Sequence, residues 1–297
     1  MKRTVFISLA FIITTALLSY RVPVQSVKKG FVPAETMDCR YYNETEFMAS
    51  VNKAAGHDIN AGRVYGGVVP HHLLAADLIA GFFKTISAQK PELVIIMGPN
   101  HLRLGQGPIN TCEADWNTPF GLLKADKETV RRIMTQTGAH LNNRLLKEDH
   151  AVAALIPYIK YYLPQAEVVP ILISGSLGKD ASGKLGQAIV KASGSKNAIY
   201  ISSIDFSHYL PMEKAEKMDK ITLEAVKSRD IDAISRMGND NLDSPPSMLA
   251  LLAAMEKVEA LDLILLEHSN SAKISGQGAD NTTSYFTMIF TKSQLVH

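Results

Sequence analysis

Three apolar runs, each ending in histidine, constrain this chain more than any other feature. Leu93-Val-Ile-Ile-Met97 carries five apolar residues without a break and passes through Gly98-Pro99-Asn100 into His101. Val64-Tyr-Gly-Gly-Val-Val-Pro70 leads into His71 and His72, and Ala198-Ile-Tyr-Ile-Ser-Ser-Ile-Asp205 leads into Phe206, Ser207 and His208. Short apolar runs rich in β-branched residues read as strands buried on both faces, the kind found in parallel sheets. Ligands of open parallel sheets sit just beyond the carboxyl ends of the strands. Three such ends therefore predict one polar site at one edge of one sheet.

The remaining pattern supports a sheet of this kind. Residues 73–83 are apolar on most faces, as in a helix packed on a sheet, and with the strands around 64–69 and 93–97 they complete a strand–helix–strand unit. Further strands are predicted near 167–174, 261–267 and 284–290, and helices over 126–137, 151–163, 178–193, 212–229 and 247–256. Asn43 is placed to cap a short helix. Residues 102–127 and 269–283 read as loops; Trp116 and Phe120, in the first of them, either line the site or cover core. With 297 residues, 46% hydrophobic, the chain can bury a large core. The alternation of strands and helices predicts one α/β domain with a mostly parallel central sheet flanked by helices.

The net charge of +2 gives no reason to expect nucleic acid as a partner. Met1-Lys2-Arg3 precedes an uncharged apolar stretch over 5–18, shorter than the roughly 20 residues of a spanning helix. Residues 1–25 therefore read as a signal peptide or N-terminal anchor. The domain, residues 26–297, is expected outside the cytoplasm, touching membrane only through that segment. Cys39 and Cys112 form no CxxC pair and cannot build a four-thiolate site. Export would leave a single disulfide open to them, but two such cysteines are more often free.

Neutral imidazole is the commonest ligand of zinc, iron and copper. A single histidine after a strand is ordinarily a turn residue, but His71, His101 and His208 at three strand ends together favour a site. Two histidines with one carboxylate would make an open iron or zinc centre. Asp205, three residues before His208, is placed to orient an imidazole or take a proton. His150, in Glu148-Asp149-His150, either faces substrate or caps the backbone. His72 starts a helix and reads as structural; His57, His140, His268 and His297 read as surface or packing residues. No G-x-G-x-x-G, G-x-x-x-x-G-K-[ST] or G-x-S-x-G is present, which argues against a nucleotide cradle and an α/β-hydrolase.

Val69-Pro70-His71, Ile96-Met-Gly-Pro-Asn-His101, Asp149-His150 seven before Pro157, and Ser202-Ser-Ile-Asp205-Phe-Ser-His208 occur in the order seen in the Memo-like proteins, also called AmmeMemoRadiSam system protein B. The chain resembles that family over roughly residues 60–290. The resemblance implies a fold similar to the class III extradiol dioxygenases, with His71 and His101 as metal ligands and His150, Asp205 and His208 lining the site. Two positions depart from the family pattern. Asp243-Ser244 stands where relatives usually carry Cys-Gly, and Ala153 where they tend to carry glutamate. Asp243 then supplies a carboxylate as third ligand, harder than a thiolate. The expected cofactor is a divalent transition metal, iron first, with zinc, manganese or copper as alternatives. The expected function is a dioxygenase-like oxidoreductase with His208, Asp205 and His150 in the catalytic roles. The competing readings are a non-enzymatic module binding a peptide or small molecule, and a metal-assisted hydrolase.

Overall fold

The apolar runs form the centre of the sheet. In the computed structural model, residues 35–57 and 62–293 are described; the segment 1–25, read as a signal or anchor, lies outside them. Among the described residues no helix is long and apolar enough to cross a membrane. The strands are β1 (Thr36–Asp38), β2 (Val64–Val69), β3 (Leu93–Pro99), β4 (Ile109–Thr111), β5 (Asp115–Thr118), β6 (Gly121–Leu123), β7 (His140–Leu141), β8 (Glu167–Ile173), β9 (Ala198–Ser203), β10 (His208–Leu210), β11 (Asp262–Asn270) and β12 (Thr282–Thr291). The main sheet runs β10-β12-β2-β9-β3-β8-β4-β7, with β11 paired to β12; β1, β5 and β6 make a small second sheet.

The four central strands β2, β9, β3 and β8 are parallel. The flanks are antiparallel, β12 against β2 and β4 against β8. β2 and β3 are not neighbours, because β9 lies between them. The strand–helix–strand unit of residues 64–97 is therefore a crossover over a gap that a later strand fills. Successive residues of β3 alternate between two cores. Leu93, Ile95 and Met97 join one, under helices Lys127–Thr137, Lys179–Ser193 and Pro245–Lys257; Val94 and Ile96 join the other, under Glu44–Lys53, Ala76–Ser87 and Ile156–Tyr162. The result is one mixed α/β domain, a sheet flanked by helices.

Gly66 and Gly67 let helices approach β2 from both faces. A Cβ at Gly66 would lie 2.7 Å from the Tyr200 carbonyl oxygen and 2.8 Å from the Met255 side chain. At Gly67 it would lie 2.5 Å from the Met288 carbonyl oxygen and 2.6 Å from the Phe82 ring.

Several expectations change. The helix expected over 151–163 is two short helices, His150–Ala153 and Ile156–Tyr162. Pro157 stands in the first turn of the second, where a missing N–H leaves nothing unpaired, so it starts a helix instead of bending one. The expected loop 102–127 contains β4, β5 and β6, and the expected loop 269–283 contains the helix Ser271–Ser275. Asn43 caps its helix as expected, its Oδ1 accepting the Glu46 N–H at 3.1 Å.

Candidate metal centre

Parallel β2, β3 and β9 bring their carboxyl ends to one edge. His71, after β2, has a side chain only 1% exposed. Its backbone N–H donates to Asp205 Oδ1 at 3.1 Å, and its Nδ1 lies 3.0 Å from Ser203 Oγ. The Ser203 hydroxyl donates to the Ala151 carbonyl, so Ser203 Oγ accepts from His71 Nδ1–H. That assigns the tautomer and leaves Nε2 facing Asp243 Oδ2 at 3.2 Å. His101, after β3, is held in the same way. Its backbone N–H donates to Asp149 Oδ2 at 2.7 Å, its Nδ1–H donates to Asp149 Oδ1 at 3.0 Å, and its Nε2 lies 3.8 Å from Asp243 Oδ2.

Asp243 reaches the cluster by backbone pairing. Leu242 bridges Phe206, and the Asp243 N–H donates to the Asp205 carbonyl at 3.1 Å. The Asp205 N–H donates to Asp243 Oδ2 at 3.3 Å, while Asp243 Oδ1 is buried without a hydrogen-bond partner. Asp205 Oδ2 is 3.7 Å from His71 Nε2. The His150 ring stacks on His101 at 4.3 Å between centroids and meets His71 edge-on at 5.2 Å.

His71, His101, His150, Asp205 and Asp243 line a cavity of about 1240 Å³ that includes His208, Arg103 and Lys179. His208 opens β10 opposite Thr283, and its Nδ1 is also buried without a partner. The six residues expected at the site, His71, His101, His150, Asp205, His208 and Asp243, thus share one cavity. Trp116 and Phe120 do not line it. Trp116 is fully buried in a core, and Phe120 packs against Tyr42, Phe47 and Tyr161. Only the start of their segment, residues 103–108, reaches the cavity wall. His72 lies outside the cluster, its Nδ1 2.6 Å from the Tyr285 hydroxyl.

The cluster is strongly polarised. Burial alone would lower the His101 pKa, but the hydrogen bond to Asp149 and the nearby Asp243 carboxylate override it and raise it to about 10. His71 moves up for the same kind of reason, burial being outweighed by Asp205 and Asp243. Burial opposes charge on Asp243 as well, yet the facing His101 and His71 imidazoles hold its carboxyl well below the usual range. His150 moves the other way, down to about 4, because burial and the neighbouring His71 and His101 both disfavour its cation. Protons on His71 and His101 balance the Asp243 carboxylate, and a divalent cation bound there would displace them.

The donor set fits such a cation. Ligand atoms of His71, His101 and His150 lie within 4.8 Å of one another, as do those of His71, Asp205 and Asp243. Asp149 and Ser203, absent from the expected site residues, supply the outer hydrogen bonds that orient imidazole ligands. Both stood in the motifs Asp149-His150 and Ser202-Ser203, but sequence alone did not connect them to a ring.

The Memo-like protein family model matches residues 44–289. The chain belongs to the Memo-like family. A MEMO1 family protein of Methanococcoides burtonii is 29% identical over 74% of this chain and 85% of its own length. Another, of Methanopyrus kandleri, is 25% identical over 89% of this chain and 97% of its own. An uncharacterised protein of Escherichia coli K12, solved by crystallography, superposes with a TM-score of 0.52 at 10% identity, covering 76% of this chain and all of that one. That likeness concerns the fold alone. In this Memo-like protein the family resemblance and the His/Asp cluster point to the same sheet edge.

Proposed function

We propose that this Memo-like protein is a metal-dependent, dioxygenase-like oxidoreductase, with His71, His101 and Asp243 as ligands of a divalent transition metal. One observation carries the reading. Both imidazoles have Nδ1 committed to an outer partner and Nε2 turned toward one buried carboxylate, whose other oxygen has no partner. Two histidines and a carboxylate are the donor set of non-haem iron. Asp243, in place of the family's usual thiolate, favours iron, manganese or zinc over cuprous copper. When bound, the metal would supply Lewis acidity and redox chemistry.

The chain's own residues would do the rest. Ser203 and Asp149 fix the two rings, so neither imidazole has to reorganise. His208, with a free Nδ1 in the cavity wall, is the group placed to give or take a proton. Asp205 holds the His71 backbone and His150 walls the cavity beside His101. The cavity is large enough for a small molecule or a peptide side chain. We further propose, from the apolar segment 5–18, that the domain works outside the cytoplasm, which fractionation of the native cells would test.

The test of the function is elemental analysis of the purified protein, then anaerobic ferrous loading and oxygen uptake with catechols. Stoichiometric metal and catechol-dependent oxygen consumption are expected. Absence of bound metal, with no uptake at micromolar concentration, overturns the reading. Bound metal with ester or amide hydrolysis and no oxygen uptake would instead assign Asp205 and His208 to activating water.

A further inference from the structure

The three histidines of the cluster are not held alike. His71 and His101 are fixed by hydrogen bonds to Ser203 and Asp149. The His150 ring makes no hydrogen bond among the described residues, and Asp149 Oδ1 lies 4.0 Å from its Nδ1. Packing against other rings orients it. His101 and His71 are two of these, and the third is Tyr41, with centroids 6.2 Å apart and planes inclined by 58°.

Tyr41 belongs to residues 35–43, which precede the span matched by the family. This strap is anchored by β1, which pairs in parallel with β5. Met37 is buried, the Asp115 N–H donates to the Glu35 carbonyl at 2.8 Å, and the Cys39 N–H donates to the Asn117 carbonyl at 3.0 Å. The next two residues grip the turn that carries the site. Arg40 pairs with the Glu148 carboxylate, and the Tyr41 hydroxyl donates to the Glu148 carbonyl at 2.6 Å. Glu148 directly precedes Asp149 and His150. The ion pair is half exposed and contributes little. The Tyr41 hydrogen bond and ring contact are the firmer link, because they fix backbone and imidazole together.

We infer that Tyr41 is a positioning residue for the candidate metal centre, a clamp from outside the family-matched span that holds the 148–150 turn and keeps the His150 imidazole against His101 and His71. The clamp rests on the proposed function only for what the centre does.

The test uses full-length, metal-free protein labelled with 13C at histidine Cε1 and studied by NMR at one fixed pH, with His150→Gln to assign the His150 signal. Tyr41→Ala and Tyr41→Leu should each move and broaden the His150 signal. Tyr41→Phe, which keeps the ring, should restore most of its position. His268, stacked on Phe286 and hydrogen-bonded to Asp219, serves as the folding control and should stay put in all three. A His150 signal unmoved in both Tyr41→Ala and Tyr41→Leu overturns the clamp. So does joint movement of His150 and His268 in both variants, since that marks general loosening.

A second arm adds Co²⁺. Tyr41→Ala should change the visible cobalt spectrum and weaken affinity by at most about tenfold, the lower end of losses for outer partners, and Tyr41→Phe should keep the spectrum. Failure of the wild type to take up cobalt would count against the proposed function while the NMR arm still decides the clamp.

Discussion

The Asp149 carboxylate accepts from the backbone and ring of His101 and from the Ala151 N–H. Replacing it with asparagine puts an amide where His101 needs an acceptor, so metal affinity should fall about 10–100-fold, read by chelator competition. His71→Ala and His101→Ala should abolish binding, and His72→Ala should leave it unchanged. If His72→Ala is the damaging variant, the ligand after β2 is misassigned. The cysteines give a second prediction at this scale. Both thiols are free, and burial, reinforced at Cys39 by Asp38, pushes each up to about 12. Neither should react with iodoacetamide in the native protein at mildly alkaline pH, and both should react in concentrated urea, as mass spectrometry would show. The candidate ligand histidines were legible because a strand end fixes where a residue sits. Asp243 was legible only through its place in the order of family motifs. Asp149 and Ser203 were not, because their part depends on hydrogen bonds to rings on other elements. Trp116 was ambiguous because an indole in a loop-like stretch looks the same whether it faces a cavity or a core.

Helix Lys127–Thr137 shows how a cap ties an element to pH. Asp126 Oδ1 accepts the Thr129 N–H at 3.1 Å, and its other oxygen takes the Thr129 hydroxyl and the Lys196 ammonium. Burial would raise its pKa, but these bonds outweigh it and the net shift is downward. A carboxyl depressed in the folded state contributes stability that is fully present above its unfolded value, near 3.9, and is lost as pH falls through the folded value. Urea midpoints measured across the acid limb should therefore fall less steeply in Asp126→Asn than in the wild type. Asp126→Ala, which also removes the cap, should cost about 1 kcal/mol near neutrality. Gly67→Ala should destabilise by about 1–3 kcal/mol by overpacking, because backbone and an aromatic ring already occupy the space its methyl needs. Strands 64–69, 93–97 and 167–173 were legible at this scale because an unbroken apolar run has few other ways to be buried. The division of 151–163 into two helices was not, since Pro157 can end one helix or begin another, and only the Ala154-Leu155 turn between them decides.

For the molecule as a whole, a metal held by His71 and His101, just beyond β2 and β3, and by Asp243, before Pro245–Lys257, would tie distant parts of the chain together. Free metal at 100 times its dissociation constant would add about 2.7 kcal/mol to stability. Chelation should then lower the melting temperature by roughly 5–10 °C for a domain of this size, and scanning calorimetry with and without chelator checks it. An unchanged melting temperature would mean that the folded state gains nothing from the ion. The sheet's architecture also bears on how the protein is made. β12 is hydrogen-bonded to β2, β10 and β11, yet it follows all three in the chain. Val68 meets its partner Met288 only after the long stretch of chain between them has left the ribosome. Until then the β2 edge that carries His71 is an open, apolar template for any passing strand. Synthesis of this protein thus includes a long interval in which its central sheet can pair with the wrong chain, and a nascent-chain chaperone would have most to shield there.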